Sequence, residues 1–168
     1  MALFKNDAFS PDEWRSLAEG EDLPLEGKVI LTLPQWQASR EHLQAANIPI
    51  GLLLEPDAAV QTIAPDLPRF ALVAVDFPKF SDGRGFSMAR QIRRTDGFAG
   101  ELRAVGDILF DQLQHLHRCG FDAFEIKDPA TIRLLESGRR PGLSVFYQPG
   151  LGGEALEPSR PWARRATS

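Results

Sequence analysis

Short apolar runs alternate with helical patterns along most of the chain, and this alternation predicts an α/β protein. Six runs carry the apolar and β-branched composition of strands: Val29–Leu33, Ile50–Leu54, Phe70–Phe77, Leu102–Val105, Phe121–Ile126 and Leu143–Tyr147. Between them lie helical patterns: Pro34–Ala46, a short turn at Glu55-Pro56-Asp57, Phe86–Arg94, Ile108–Cys119, and a helix that Asp128-Pro129 begins and Ser137 ends. Phe70–Phe77 is apolar on both faces, as strands of covered parallel sheets are.

Short connections between these elements imply right-handed βαβ units. We therefore expect a mostly parallel sheet of about six strands with alternating helices, either an open sheet or an incomplete (β/α) barrel, because the usual closed barrel needs eight strands. Three regions follow: an N-terminal extension over residues 1–27 that packs on the domain, a single α/β domain over 28–148, and a flexible tail over 149–168. Within the extension, Ser10, Pro11 and Glu13 match a capping box and predict a short helix.

Composition narrows the class of protein. A chain of 168 residues with 43% hydrophobic and 25% charged residues suits one globular domain. A net charge of −4 argues against a general nucleic-acid-binding surface. Cys119 is the only cysteine, so the chain forms neither an internal disulfide nor a cysteine-bound cluster. No secretory pattern and no apolar run near the ~20 residues of a membrane span is visible, so we expect a cytoplasmic protein without membrane or nucleic-acid partners.

A polar, glycine-containing loop follows the third predicted strand. Lys79 and the run Asp82, Gly83, Arg84, Gly85 lie in it, at the edge of the sheet where parallel strands end and binding groups gather. The glycines permit close backbone approach, and the helix from Phe86 points N–H groups at the loop. These residues are candidates for binding phosphate, sulfate, sulfite or a carboxylate. The alternative is a tight turn in which Asp82 caps and Arg84 pairs with a neighbouring acid.

Two aspartates, Asp76 and Asp107, each follow an apolar strand and are candidate catalytic residues. Carboxylates at one sheet edge can divide acid and base roles or share a magnesium ion, although no metal-ligand set is assigned. Two structural alternatives compete. Asp107 can cap the helix from Ile108, and Asp76 can pair with Arg103, which needs a partner if it is buried.

The helix after the loop carries Arg90, Arg93 and Arg94, which form either a partner-binding face or an ordinary solvated one. His115 and His117 are two residues apart on a helix and cannot chelate one metal together. His115 and Cys119 are four residues apart and could pair, but their position near a helix C-terminus disfavours a thiolate.

The segments FPKFSDGRGFSMARQIR and GELRAVGDILFDQLQHLHRCGFDAFEI resemble the bacterial domain-of-unknown-function family 934. The resemblance covers roughly Val29 to Tyr147, and DGRG, AVGD and GFDAFE are its most specific parts. It implies an oxidoreductase-type role linked to sulfite reduction, with genes beside those for sulfite reductase and phosphoadenylylsulfate reductase. It carries over no catalytic residues.

Two functional hypotheses follow, and the cofactor is unknown in both. The chain lacks a GxGxxG fingerprint and a dithiol pair, so a redox role needs a borrowed cofactor or a partner that carries one. In the first hypothesis it is an accessory protein of assimilatory sulfate and sulfite reduction, and docks on sulfite reductase or another sulfur-assimilation redox protein through Arg84 and the arginine face. In the second it is a small enzyme acting on sulfite or a sulfated or phosphorylated ligand, with Lys79 and Arg84 binding the anion.

Overall fold

The computed structural model describes residues 2–43 and 48–142. The strands are β1 (Ala2–Lys5), β2 (Ala8–Ser10), β3 (Trp14–Ser16), β4 (Lys28–Thr32), β5 (Ile50–Leu54), β6 (Leu72–Phe77), β7 (Glu101–Gly106) and β8 (Ala123–Ile126). The helices are α1 (Leu33–Leu43), α2 (Val60–Ile63), α3 (Arg84–Arg90), α4 (Leu113–Arg118) and α5 (Pro129–Glu136). Short 3-10 segments at Ala64–Arg69 and Phe110–Gln112 and a π-helical turn at Gln91–Thr95 extend α2, α4 and α3.

All eight strands form one curled, open sheet in the order β2-β1-β8-β7-β6-β5-β4-β3. Strands β3 to β8 pair in parallel, while β1 is antiparallel to both β8 and β2. The predicted class, a mostly parallel α/β sheet, is confirmed. Five of the six predicted strands form within two residues of their expected bounds. The sixth, Leu143–Tyr147, and the tail over 149–168 lie outside the described residues.

The prediction of a short helix at Ser10–Glu13 is wrong, because residues 2–16 form β1, β2 and β3 instead. Asn6 and Asp7 adopt positive φ angles of 52° and 60° and turn β1 into β2, the backbone that a tight two-residue hairpin requires. The Asp12 carboxylate accepts the Trp14 N–H at 3.1 Å, which forms a local turn rather than a helix cap. The pairing of β1 with β8 and of β3 with β4 stabilises strands in this segment, although its local sequence favours the start of a helix.

The two faces of the sheet are covered differently. All five helices pack on the convex face, whose core includes Trp36, Val60, Met88, Leu116 and Leu135. The concave face holds a second, smaller cluster formed by Ile30, Leu72, Ala74 and Val105, against which Trp14 packs. Helices outside a curved parallel sheet are the arrangement of a (β/α) barrel, so this sheet is a partial barrel.

A three-residue crossover, Pro11–Glu13, shows how far the sheet curls. It joins β2 to β3, which are the two edge strands of the sheet. The chain from Ser10 to Trp14 spans at most about 15 Å, because consecutive Cα atoms are 3.80 Å apart. Seven inter-strand spacings in a flat sheet would separate these edges by about 33 Å. The sheet must therefore bend until its edges nearly meet, and the crossover bridges the remaining gap.

Candidate functional site

Asp76 lies at the carboxyl edge of the sheet, near the end of β6 and opposite Val105 of β7. The neighbouring Gly106 has a φ of +101°, and a Cβ atom there would lie 2.7 Å from Asp76 Oδ1. The end of β7 is therefore pressed against this carboxylate. Burial raises the pKa of Asp76, while the positive charge of Lys127 and a hydrogen bond with the backbone at Phe77 act against the rise. Asp76 thus holds a proton more readily than an ordinary aspartate, a property common in acid–base residues.

Asp76 does not pair with Arg103, so that structural alternative is wrong. Arg103 lies two residue pairs nearer the amino end of β7, opposite Ala74, and it is 1% exposed. It donates from Nη1 to Asp12 Oδ2 at 2.7 Å and from Nε to Glu101 Oε1 at 2.9 Å. The guanidinium ties the crossover to the concave face.

Asp107 does not cap a helix, because the 3-10 segment that precedes α4 begins only at Phe110. Its Oδ2 instead accepts the Phe80 N–H at 3.1 Å. The carbonyl of Phe80 is held as well, because it accepts a hydrogen bond from Gln112 Nε2 at 2.6 Å. Asp107 therefore positions the loop after β6, and the two bonds hold the Phe80 backbone at both ends.

In the Asp82–Gly85 loop Arg84 pairs with a neighbouring acid, as the alternative interpretation expected, but the N-cap of α3 is Gly83 and not Asp82. Arg84 donates from Nε to Asp82 Oδ1 at 3.0 Å and from Nη2 to Oδ2 at 2.7 Å. These bonds lower the pKa of Asp82 to about 2. A Cβ atom on Gly85 would lie 2.5 Å from the Phe77 ring, so this glycine lets α3 pack against β6. Gly83 is exposed with open space around it, and Lys79 is exposed while its carbonyl accepts the Asp82 N–H at 2.9 Å.

Arg93 turns inward, away from the surface where the sequence placed it. It donates to the carbonyls of Phe98, Gly100 and Gly120 at 2.7–2.8 Å and pairs with Asp122 at 2.5 Å. Arg93 therefore joins the turn after α3 to the start of β8, whereas Arg90 and Arg94 are exposed.

Basic and aromatic groups from α3, its π-helical extension and α4 form what we call the α3–α4 surface: the exposed Arg90, Arg94 and His115 and the half-buried Phe86 and Arg118. The Phe86 and His115 rings lie 4.7 Å apart. Burial lowers the pKa of His115, and the positive charges of Arg90 and Arg118 lower it further. His115 thus reports a positive potential on this surface.

The Cys119 thiol lies beneath the α3–α4 surface, with Sγ 3.9 Å from His115 Nε2. Burial raises the pKa of Cys119 even though Arg90 and Arg118 oppose the shift. The pair is therefore a neutral thiol beside a neutral imidazole, which is not an activated nucleophile.

A cavity of about 300 Å³ opens at the carboxyl ends of β4 and β5. Its lining is Thr32, Leu33, Pro34, Leu53, Glu55, Asp57, Ala58 and Ala59. Glu55 directly follows β5, and β5 pairs with β6, the strand that contains Asp76. The cavity therefore lies one strand away from Asp76. The sequence pattern predicted a helical turn at Glu55–Asp57 and no functional role. Their position directly after a strand was the feature that could have placed them at the carboxyl edge of the sheet.

Another cavity, of about 380 Å³, lies between the β1–β2 turn, α4 and α5. Its apolar lining is Phe4, Leu113, Phe124 and Leu135. Arg140 on its rim donates to the Asp7 carboxylate and carbonyl at 3.2 and 2.7 Å. The sequence carried no signal for this cavity, because β1 and its turn were not expected.

Within the ranges 2–43 and 48–142, no group of three histidine, cysteine, aspartate or glutamate residues is arranged to hold a metal ion. None of the helices in the same ranges has the length and apolar character needed to cross a membrane.

Comparison with known proteins gives one family model, described as a bacterial protein of unknown function (DUF934), which matches residues 51–156. The match begins at β5 and includes both the carboxyl-edge residues after β6 and the whole α3–α4 surface. A comparison with curated proteins gives no match.

Proposed function

The chain belongs to the bacterial family of unknown function DUF934, and from that premise we propose that it is an accessory protein of assimilatory sulfite reduction. It docks on a sulfite-reducing or electron-transfer protein through the α3–α4 surface. The sulfur pathway comes from the family resemblance of the sequence. The observation that carries the docking role is the grouping of Arg90, Arg94 and Arg118.

The positive charge of this surface is local. The chain as a whole has a net charge of −4. Among the ion pairs of residues 2–43 and 48–142, none includes Arg90 or Arg94, whereas Arg84, Arg93 and Arg103 are all paired with acids. Arg90 hydrogen-bonds with the Cys119 thiol, but this contact leaves its positive charge in place. Positive charge that these ion pairs do not neutralise favours an acidic partner, because complementary charge speeds association and orients the encounter.

The carboxyl edge supports the anion-binding role less well. Arg84 is engaged by Asp82, and the cavity beside it is lined by Glu55 and Asp57. The acid Asp57 also contributes to raising the pKa of Arg84. An incoming oxyanion would have to displace Asp82 and approach these carboxylates.

The docking proposal is tested with the purified chain and purified sulfite reductase from the same bacterium, by calorimetric titration at 50 and 200 mM salt. We expect Arg90→Glu with Arg94→Glu to raise Kd at least tenfold and to flatten its salt dependence. The control, Arg133→Glu, makes the same kind of charge change on an exposed residue of α5. Absence of binding by the unchanged chain, or an equal effect of the control, would refute the proposal.

A second candidate function, a small enzyme of the carboxyl edge, is favoured by the raised pKa of Asp76. A protonated Asp76 would donate to a ligand bound at the carboxyl edge of the sheet, at the end of β6. Sulfite and phosphate are the first ligands to test, by thermal shift of the chain and of Asp76→Asn. A shift that Asp76→Asn removes and Asp111→Asn retains would favour this function, and no shift would count against it.

A further inference from the structure

We propose that Phe80 is the apolar anchor of the docking interface, and that the partner presents an apolar recess ringed by acidic side chains. This inference rests on the docking function proposed above and names the recognition element of that same surface. It gives Asp107 and Gln112 a role as positioning residues for the anchor.

Phe80 is exposed where a phenylalanine is ordinarily buried. Its side chain is 54% exposed, and within the described residues Leu25, at 99%, is the other exposed large hydrophobic residue. Leu25 lies in the stretch between β3 and β4, with no hydrogen bond to its backbone among those found for the described residues. Phe80, by contrast, is fixed at both its N–H and its carbonyl.

The groups that hold Phe80 are themselves fixed. The Asp107 N–H donates to the Phe77 carbonyl at 2.7 Å, which locks the acceptor of the Phe80 N–H onto the end of β6. The side-chain oxygen of Gln112 accepts the Leu109 N–H at 3.1 Å while its nitrogen holds the Phe80 carbonyl. A ring presented on a fixed backbone loses little conformational freedom on binding, which is how preorganised interfaces gain affinity.

Phe80 is also continuous with the α3–α4 surface. Gln112, bonded to Phe80, precedes His115 by three residues, about one turn of helix. The His115 ring lies against Phe86, which precedes Arg90 by four residues on α3. A series of contacts therefore connects the Phe80 backbone, through Gln112 and the helix that follows it, with the Phe86–His115 pair of the α3–α4 surface.

This composition indicates the chemistry of the partner. Interfaces concentrate aromatic residues and arginine at their energetic centre, with charged residues around them. Here an exposed ring adjoins Lys79 and leads to Arg90 and Arg118, so the matching surface is an apolar recess bordered by carboxylates. A second copy of this chain is the competing occupant, and sedimentation distinguishes the two.

The test compares Phe80→Ala, Phe80→Tyr and the control Leu25→Ala in binding to purified sulfite reductase, measured by surface plasmon resonance. We expect Phe80→Ala to raise Kd 10- to 100-fold through faster dissociation while the salt dependence is kept. Phe80→Tyr retains the ring and should stay within about threefold of the unchanged chain, and Leu25→Ala within twofold. Because the ring is exposed, we expect all three variants to keep the unfolding midpoint of the unchanged chain.

The outcomes separate the two proposals. If Arg90→Glu weakens binding and Phe80→Ala leaves it within twofold, the anchor is refuted while the docking function stands. If the unchanged chain does not bind, the docking function fails and the anchor fails with it. If Phe80→Ala changes the sedimentation of the isolated chain instead, the occupant is a second copy and the acidic partner is refuted.

Discussion

Replacing Gly106 with alanine tests whether the end of β7 is as tightly fitted to Asp76 as the structure shows. Gly106 has a φ of +101°, and an added Cβ would lie 2.3 Å from the Phe77 carbonyl oxygen and 2.7 Å from Asp76 Oδ1. The matched control is Gly97→Ala. Gly97 also has a positive φ, +67°, but nothing lies within 4 Å of its virtual Cβ.

Both substitutions place an alanine in a left-handed backbone conformation, which lowers the free energy of unfolding. Only the alanine at position 106 also makes a steric clash. A non-glycine residue at positive φ costs roughly 1–2 kcal/mol, so Gly97→Ala should lower the free energy of unfolding by about that amount. At Gly106 the methyl group would also clash with the Phe77 carbonyl and with the half-buried Asp76 carboxylate. Overpacking of this kind costs typically about 1–3 kcal/mol more, which gives about 2–5 kcal/mol in total.

Urea unfolding followed by tryptophan fluorescence and by circular dichroism measures both values. The expected result is a loss for Gly106→Ala about 2 kcal/mol larger than for Gly97→Ala. Removing the carboxylate in the double variant Gly106→Ala with Asp76→Ala should recover part of that difference, because one of the two close contacts disappears. Equal losses for the two glycines would show that the end of β7 does not press on Asp76 and the Phe77 carbonyl.

Three further predictions concern the charged side chains. Arg93→Ala should lower the free energy of unfolding by about 3 kcal/mol because it leaves three carbonyls and an acid unpaired, whereas Arg94→Ala should change it by at most about 0.5 kcal/mol; equal effects in urea unfolding would contradict the inward placement of Arg93. Asp82→Asn should lower the free energy of unfolding at pH 7 and leave it nearly unchanged near pH 2, because a carboxylate with a lowered folded-state pKa stops stabilising the fold as the pH falls through that pKa. Asp76→Asn should have the opposite effect, because the pKa of Asp76 is raised: it should increase the free energy of unfolding at pH 7, and this gain should vanish below about pH 4. Arg103→Leu should cost about 3 kcal/mol by leaving its acids unpaired, and an unchanged urea midpoint would show that the concave ion pairs do not hold the crossover.

The parallel core could be predicted from the sequence because its strands are covered on both faces. Runs such as Ile50–Leu54 and Leu72–Val75 contain no polar side chain, and the helical patterns between them fix their direction. The position of Asp76 at the carboxyl edge follows from the same parallelism. The Asn6-Asp7 pair, between apolar Phe4 and Phe9, was a hairpin signal, but strands of three and four residues show too little periodicity to be recognised.

The partners of the charged residues could not be predicted in the same way. Arg103 pairs with Asp12, which is 91 residues away in the chain, and only the crossover brings the two together. Asp107 likewise accepts from Phe80 because the loop after β6 folds over the end of β7. Local patterns favoured a helix cap and a neighbouring-strand pair, but the observed contacts are long-range ones that depend on how the open sheet curls.

The pairing of β1 with β8 has a consequence for how the protein is made. Ala2 faces Ile126 across this pair, so about 120 residues of translation separate the two strands. At the usual elongation rate of about 5–20 residues per second, β8 is synthesised roughly 6–24 s after β1. During that time β1 and its hairpin have no sheet to join, and the concave face stays open because the crossover has nothing to bridge. The nascent chain therefore exposes the β1–β2 hairpin without its neighbouring strand until β8 has been made, so this hairpin is a segment on which a chaperone would act.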